Sequence, residues 1–193
     1  ATHPYIQPHH TFLDLLQVKC RLQPTDLVER GVWHVSDDER QRLSDAIARQ
    51  CYRHVQQVLE QSRPVVQALA ERHPLVLVSN FYGNIHTILR HFRLDYFREV
   101  AESSVVGVRK PYPCIFQLGV EVLRRATGMT AEQLPASRII VVGDSYDKDI
   151  APAHQIGCRT IWLKGIGWTA ETVDENLPDA VITSISDLPA AVE

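Results

Sequence analysis

Residues 141–150 read VVGDSYDKDI, which puts Asp144, Asp147 and Asp149 within six positions at the end of an apolar run. Carboxylates this close repel one another, so such a cluster persists only where water screens it or a cation neutralises it. Asp147 belongs on a solvated face. Asp144 follows a strand-like run and a glycine, and Asp149 lies five residues on, across the entry to a helix. Two carboxylates and a carbonyl suit a hard divalent cation such as Mg²⁺. Ser79 and Asn80 end a second apolar run, PLVLVSN (74–80), and Lys110 sits in the Pro-bounded segment GVRKPYP (107–113). A hydroxyl and an ammonium suit phosphoryl oxygens, so the set describes a site for phosphate and Mg²⁺. Singly, each residue has a structural explanation: Ser79 as a helix N-cap, Lys110 as a surface lysine, Asp149 as a first-turn acid answering the helix dipole.

The elements that must position these residues fall into two kinds. From about 11 to 62 the pattern is helical, with Leu43, Ile47, Cys51, Val55 and Leu59 at mixed spacing and Ser36 with Glu39 forming a capping box. No strand is predicted before 74. Strands are then predicted over 74–80, 97–103, 137–145, 158–165 and 179–185, with helices between them, including 111–128 closed by Gly128. The run at 137–145 is the most continuously apolar, as a strand covered on both faces requires. This alternation predicts an α/β fold: a three-layer, Rossmann-like parallel sheet with helices on both faces, plus an all-helical cap. The predicted division is 1–62 for the cap and 63–193 for the core. Ligands in such sheets bind at the carboxyl ends of the strands, where Ser79 and Asp144 fall.

In order and spacing, LVSN, then RKPYPCIF, then VVGDSYDKDI resembles the haloacid dehalogenase superfamily, whose second, third and fourth motifs are a strand-ending Ser or Thr, a Lys often in KP.P..F, and GDS....D. HQIGCRTIWL (154–163) keeps the register of a further stretch common in that family. The resemblance covers about 63–170. It implies a Mg²⁺-dependent phosphomonoester hydrolase working through a phosphoaspartate, in which one Asp attacks the phosphoryl group and another, two residues later, serves as acid and base. It also implies that Ser79, Asn80 and Lys110 bind the phosphoryl group, that Lys110 stabilises the nucleophile's charge, and that Asp144 and Asp149 hold Mg²⁺ directly or through water.

The family's first motif, D.D.[TV] after the first core strand, is absent. FLDLLQ (12–17) offers Asp14 but places Leu16 where the second Asp belongs, and no apolar strand precedes it. In the family that strand lies between those ending in VLVSN and IIVVGD. Its removal leaves a gap of about 10 Å, twice the inter-strand spacing. Two readings follow: a further N-terminal segment of about 15–30 residues carries strand and nucleophile, the chain as given being inactive without it, or this is an inactive binding relative in which another strand fills the gap. A 2-haloacid dehalogenase is the alternative enzyme, but its chemistry has no use for a cation cage.

Bulk properties limit the partners. A chain of 193 residues with 45% apolar and 22% charged residues is an ordinary globular protein, one domain or one with a small insert. A net charge of −3, with basic residues dispersed, gives no footprint for nucleic acid or an anionic membrane. Cys20, Cys51, Cys114 and Cys158 are too far apart for a zinc knuckle or a redox pair, which predicts structural thiols in a reducing compartment. No run approaches the roughly 20 apolar residues of a membrane span, and residues 1–20 lack signal-peptide layout, so a cytoplasmic protein is predicted. The expected partner is a small phosphorylated metabolite; oligomeric state is left open. His3, His9 and His10 are read as loop residues.

Overall fold

A computed structural model describes residues 4–165 and 173–193; His3 lies outside the described residues. Two units emerge, and the division is discontinuous: one takes Ser62–Phe81 with Asp95–Glu193, the other takes residues up to Gln61 together with Tyr82–Leu94.

The helical unit contains α1 (Phe12–Glu29), the first part of α2 (Asp37–Arg72) and α3 (Ile85–His91). Thr11 and Asp14 make a reciprocal capping box at the start of α1, the Asp14 carboxylate accepting from the Thr11 N–H at 2.8 Å and hydroxyl at 2.7 Å. These bonds, the side-chain one foremost, hold the Asp14 carboxyl below the usual carboxylate range. Asp14 is therefore a helix cap, in keeping with its rejection as a nucleophile. Arg40 donates to Thr25 Oγ1 at 2.8 Å, joining α2 to α1. The segment 82–94 joins this unit through the buried Asn84, which donates to the His10 carbonyl at 2.9 Å, through Thr87 on the Pro8 carbonyl, and through Phe92 against Phe12.

Ser36 accepts from the Glu39 N–H at 3.2 Å at the start of α2, as its capping pattern predicts. The helix then runs unbroken past 62 to Arg72, with Pro64 inside it. Of its apolar stripe, Leu43, Ile47 and Cys51 are exposed, and the buried positions are instead Ser44 and Ala48. Burial of these small residues in place of the apolar stripe is something hydrophobic periodicity does not anticipate.

The sheet unit has β1 (Val76–Ser79), β2 (Glu99–Glu102), β3 (Ile140–Gly143), β4 (Arg159–Leu163) and β5 (Ala180–Ile182), each within a predicted strand range. All pairings are parallel, but they form two sheets, β1-β2 and β3-β4-β5. Between them run α4 (Ser103–Val106), α5 (Cys114–Thr127), α6 (Ala151–Gln155) and, at the end, α7 (Leu188–Ala191). Gly128 closes α5 at φ 68°, the left-handed conformation that favours glycine there.

Alternate strand residues turn to opposite faces. On one face Ile115, Phe116 and Val120 of α5 and Ala153 of α6 pack with Val78 of β1 and Val141 of β3. On the other, Leu69 near the end of α2 and Leu188 of α7 pack with Ile140, Ile161, Leu163 and Ile182. These are the three layers expected of the core. One expectation is corrected: the most apolar run does not give the most buried strand. Val142 of β3 is 38% exposed, whereas Thr160, Ile161 and Trp162 of β4 are fully buried. β4 has a strand on each side, and β3 has one. The four cysteines are free, and burial pushes the Cys158 thiol up to about 11.

The Asp179 carboxylate, just before β5, accepts from the buried Thr160 N–H at 2.7 Å. Asp179→Ala strands that donor and is expected to cost about 1–3 kcal/mol, measured by urea denaturation. Asp179→Asn, which keeps an acceptor, should cost less.

Candidate active site

Three short segments of the sheet unit converge through hydrogen bonds. At the end of β1, Ser79 is followed by Asn80, whose side chain clamps the backbone of Lys110: Oδ1 accepts from the Lys110 N–H at 2.8 Å, and Nδ2 donates to its carbonyl at 3.0 Å. The peptide after Lys110 is cis. The Lys110 ammonium donates to Asp149 Oδ1 at 2.6 Å, and Asp149 Oδ2 accepts from the Ser145 N–H at 3.1 Å. Asn80, Lys110, Ser145 and Asp149 thus form one network linking the carboxyl ends of β1 and β3.

Local chain geometry after β3 produces this. Residues Tyr146–Ile150 make a wide π-type turn in which the Ser145 carbonyl accepts from the N–H groups of Asp149 at 2.8 Å and Ile150 at 3.3 Å. The turn swings Asp149 back over Gly143. A Cβ on Gly143 would stand 2.3 Å from the Asp149 Cβ, so only glycine admits this approach. The two carboxylates consequently occupy opposite environments. Asp149 is buried and fully engaged, while Asp144 is exposed and its carboxylate has no partner among the described residues.

The structure decides between the alternative explanations of single residues. Lys110 is no surface lysine, its side chain being 18% exposed in an ion pair. Asp149 is a buried ion-pair member as well as an acid in a turn. Asn84, not Ser79, caps α3, and the Ser79 hydroxyl has no partner among the described residues. Sequence reasoning passed over Glu102, a buried carboxylate that β1-β2 register places beside Ser79. Its signal was present: EVAES, like LVSN, ends an apolar-patterned strand in polar residues.

As a Mg²⁺ site, Asp144 fits: it is an unpartnered carboxylate at a strand's carboxyl end. Asp149 already faces a cation and an N–H. Among the described residues no group of three or more His, Cys, Asp or Glu side chains converges. Mg²⁺ typically takes only one or two carboxylates and completes its shell with waters and substrate phosphate, so the donor set remains compatible.

Comparison with known proteins bears on the family. A family model described as HAD-hydrolase-like matches residues 107–188, the stretch that holds Lys110, Asp144 and Asp149. Glyceraldehyde 3-phosphate phosphatase of Pyrococcus furiosus is 33% identical over 108 residues, covering 55% of this chain and 41% of that protein. Residues 107–188 therefore match the haloacid dehalogenase-like hydrolases, and the chain resembles that superfamily. Among solved superfamily structures, 2-haloacid dehalogenase from Pseudomonas syringae pv. Tomato DC3000 matches at 28% identity and TM-score 0.52, over 91% of this chain and 70% of that one. A HAD phosphatase from Thermococcus onnurineus matches in fold, with TM-score 0.56 at 19% identity over 94% of this chain and 90% of that one. The chain spans about half or less of the length of the curated superfamily relatives it matches.

Two variants probe the network. Lys110→Met leaves Asp149 as a buried carboxylate without its cation and should destabilise by roughly 3–5 kcal/mol at neutral pH. Gly143→Ala should cost about 1–3 kcal/mol by overpacking against Asp149. Both are read by denaturant titration.

Proposed function

We propose that the protein of which this chain is part is a Mg²⁺-dependent phosphomonoester hydrolase acting through a phosphoaspartate. The observation that carries this reading is a fixed cation, Lys110, tied through Asp149 to the turn that follows the open carboxylate Asp144 at the carboxyl end of β3. An anionic group placed there meets the Lys110 ammonium and the unpartnered Ser79 hydroxyl. Asn80 and Asp149 hold Lys110 in place, one gripping its backbone and the other its ammonium, so little ordering remains to be done when substrate arrives. Asp144 would hold Mg²⁺, with Asp149 contributing through water. Mg²⁺ supplies charge neutralisation as the phosphoryl group transfers.

The nucleophile is assigned to an aspartate on a further parallel strand lying between β1 and β3. Those two strands pack on one helix cluster and are joined at their ends by Lys110, yet among the described residues each is hydrogen-bonded to a strand on one side only. A strand that pairs with both would satisfy these edges and deliver its last residues to the phosphate site. The helical unit, residues 1–62 in the sequence-based division, would serve as a cap that excludes water and selects the substrate. The substrate class is a small phosphorylated metabolite. Named relatives include phosphatases for glyceraldehyde 3-phosphate and for a phosphoribitylamino-uracil.

A 2-haloacid dehalogenase is the second reading, favoured by the 28% identity to the Pseudomonas structure. A site that releases halide has no need of the free Asp144 carboxylate. The protein as encoded in full should hydrolyse p-nitrophenyl phosphate only with Mg²⁺ present and lose at least 100-fold in kcat on Asp144→Ala. Undiminished hydrolysis in EDTA refutes the metal mechanism, and halide release from 2-chloropropionate without phosphate release selects the dehalogenase.

A further inference from the structure

Trp162 stands in β4 directly opposite Gly143 of β3 and is 1% exposed. Its indole N–H donates to the main-chain carbonyl of Asp144 at 3.1 Å. The same ring meets Tyr146, the first residue of the wide turn, edge to face at a centroid distance of 5.5 Å. One side chain therefore holds the two residues flanking Ser145, at the point where the chain leaves the β3-β4 ladder. The hydrogen bonds that close the turn converge on the Ser145 carbonyl, not on that of Asp144. Indole is a donor only, so the direction of the contact is fixed.

We infer that Trp162 is a positioning residue for the candidate site: by fixing the Asp144 carbonyl and seating Tyr146, it sets the direction in which the Asp144 carboxylate points. This rests on the proposal that Asp144 serves the phosphate site. The physical reason is that, among the described residues, no other side chain orients Asp144. Its carboxylate is exposed and unpartnered among the described residues, and a side chain that must meet a cation loses affinity with each extra backbone conformation it samples. Asp149 is held by its own ion pair; Asp144 depends on its backbone.

Trp162→Phe keeps an aromatic ring for Tyr146 and removes only the N–H donor. In the full-length protein, hydrogen exchange at the Ser145–Ile150 amides should accelerate at least tenfold while β4 and β5 amides keep wild-type rates. Mg²⁺ affinity by titration calorimetry should fall at least fivefold. A general loss of stability would instead speed exchange across all of β3, β4 and β5 and leave Mg²⁺ affinity unchanged, and that result overturns the inference. So does wild-type exchange in the turn. A measurement on the wild type guards against a variant that does not fold: the Trp162 indole proton should shift in NMR spectra on Mg²⁺ addition, and an unmoved resonance at saturating Mg²⁺ overturns the inference. If the wild type itself binds no Mg²⁺, the Mg²⁺ function and this inference fall together, and the failure is recognisable because it precedes any mutation.

Discussion

A carboxylate taken out of water must find positive charge, and at Asp149 that requirement organises the site. With its residue 5% exposed, Asp149 carries a cost of several kcal/mol as an ion unless paired. The Lys110 ammonium donates to one of its oxygens and the Ser145 N–H to the other. Neither partner is there by accident of a flexible side chain. Lys110 is held at its backbone by both ends of the Asn80 amide, and the Ser145 N–H is aimed by a turn that Gly143 alone permits. The pair is therefore better understood as a device that fixes a lysine than as a source of stability. Replacing both partners by apolar residues could leave the fold intact; removing one could not.

The same network carries the larger architecture. Each of the two parallel sheets is too small to cover a face alone, and helix α5 with α6 gathers side chains from both into one cluster. Between β1 and β3 there are no ladder hydrogen bonds, and the links that join their ends are those of Asn80, Lys110 and Asp149. The burial gradient follows: β4, paired on both sides, is sealed, whereas Val142 in β3 stays accessible. Parallel strands are stable when both faces are covered, and here helices from both sides supply that cover.

Much of this was legible in the sequence because its signals are local. Runs such as LVLVSN and IIVVGDS announce strands with polar ends, and KPYP and GDSYDKD carry their own spacing. What was not legible depended on contacts between distant residues. The segment 82–94 follows β1 directly yet packs with the amino-terminal loop, because Asn84 and Thr87 bond to carbonyls of His10 and Pro8, seventy-odd positions away. The apolar stripe of Leu43, Ile47 and Cys51 suggested a buried face, but the buried positions are Ser44 and Ala48. Glu102 reads as an ordinary strand-end acid until the register with Ser79 places it inside.

The divergence of the two aspartates shows how spacing alone underdetermines chemistry. Asp144 and Asp149 are the same residue type, five apart, on one turn. Asp149 comes round beside Ser145, its N–H on the Ser145 carbonyl and its carboxylate on the Ser145 N–H. The wider turn, closed by the Ile150 N–H on the Ser145 carbonyl, adds a residue to that circuit and folds Asp149 onto the glycine behind it. Such π-type turns are uncommon and concentrate at functional sites, since they trade a regular hydrogen bond for control of one side chain's direction. Here the trade leaves one carboxylate neutralised by a lysine and the other open to a cation from solvent.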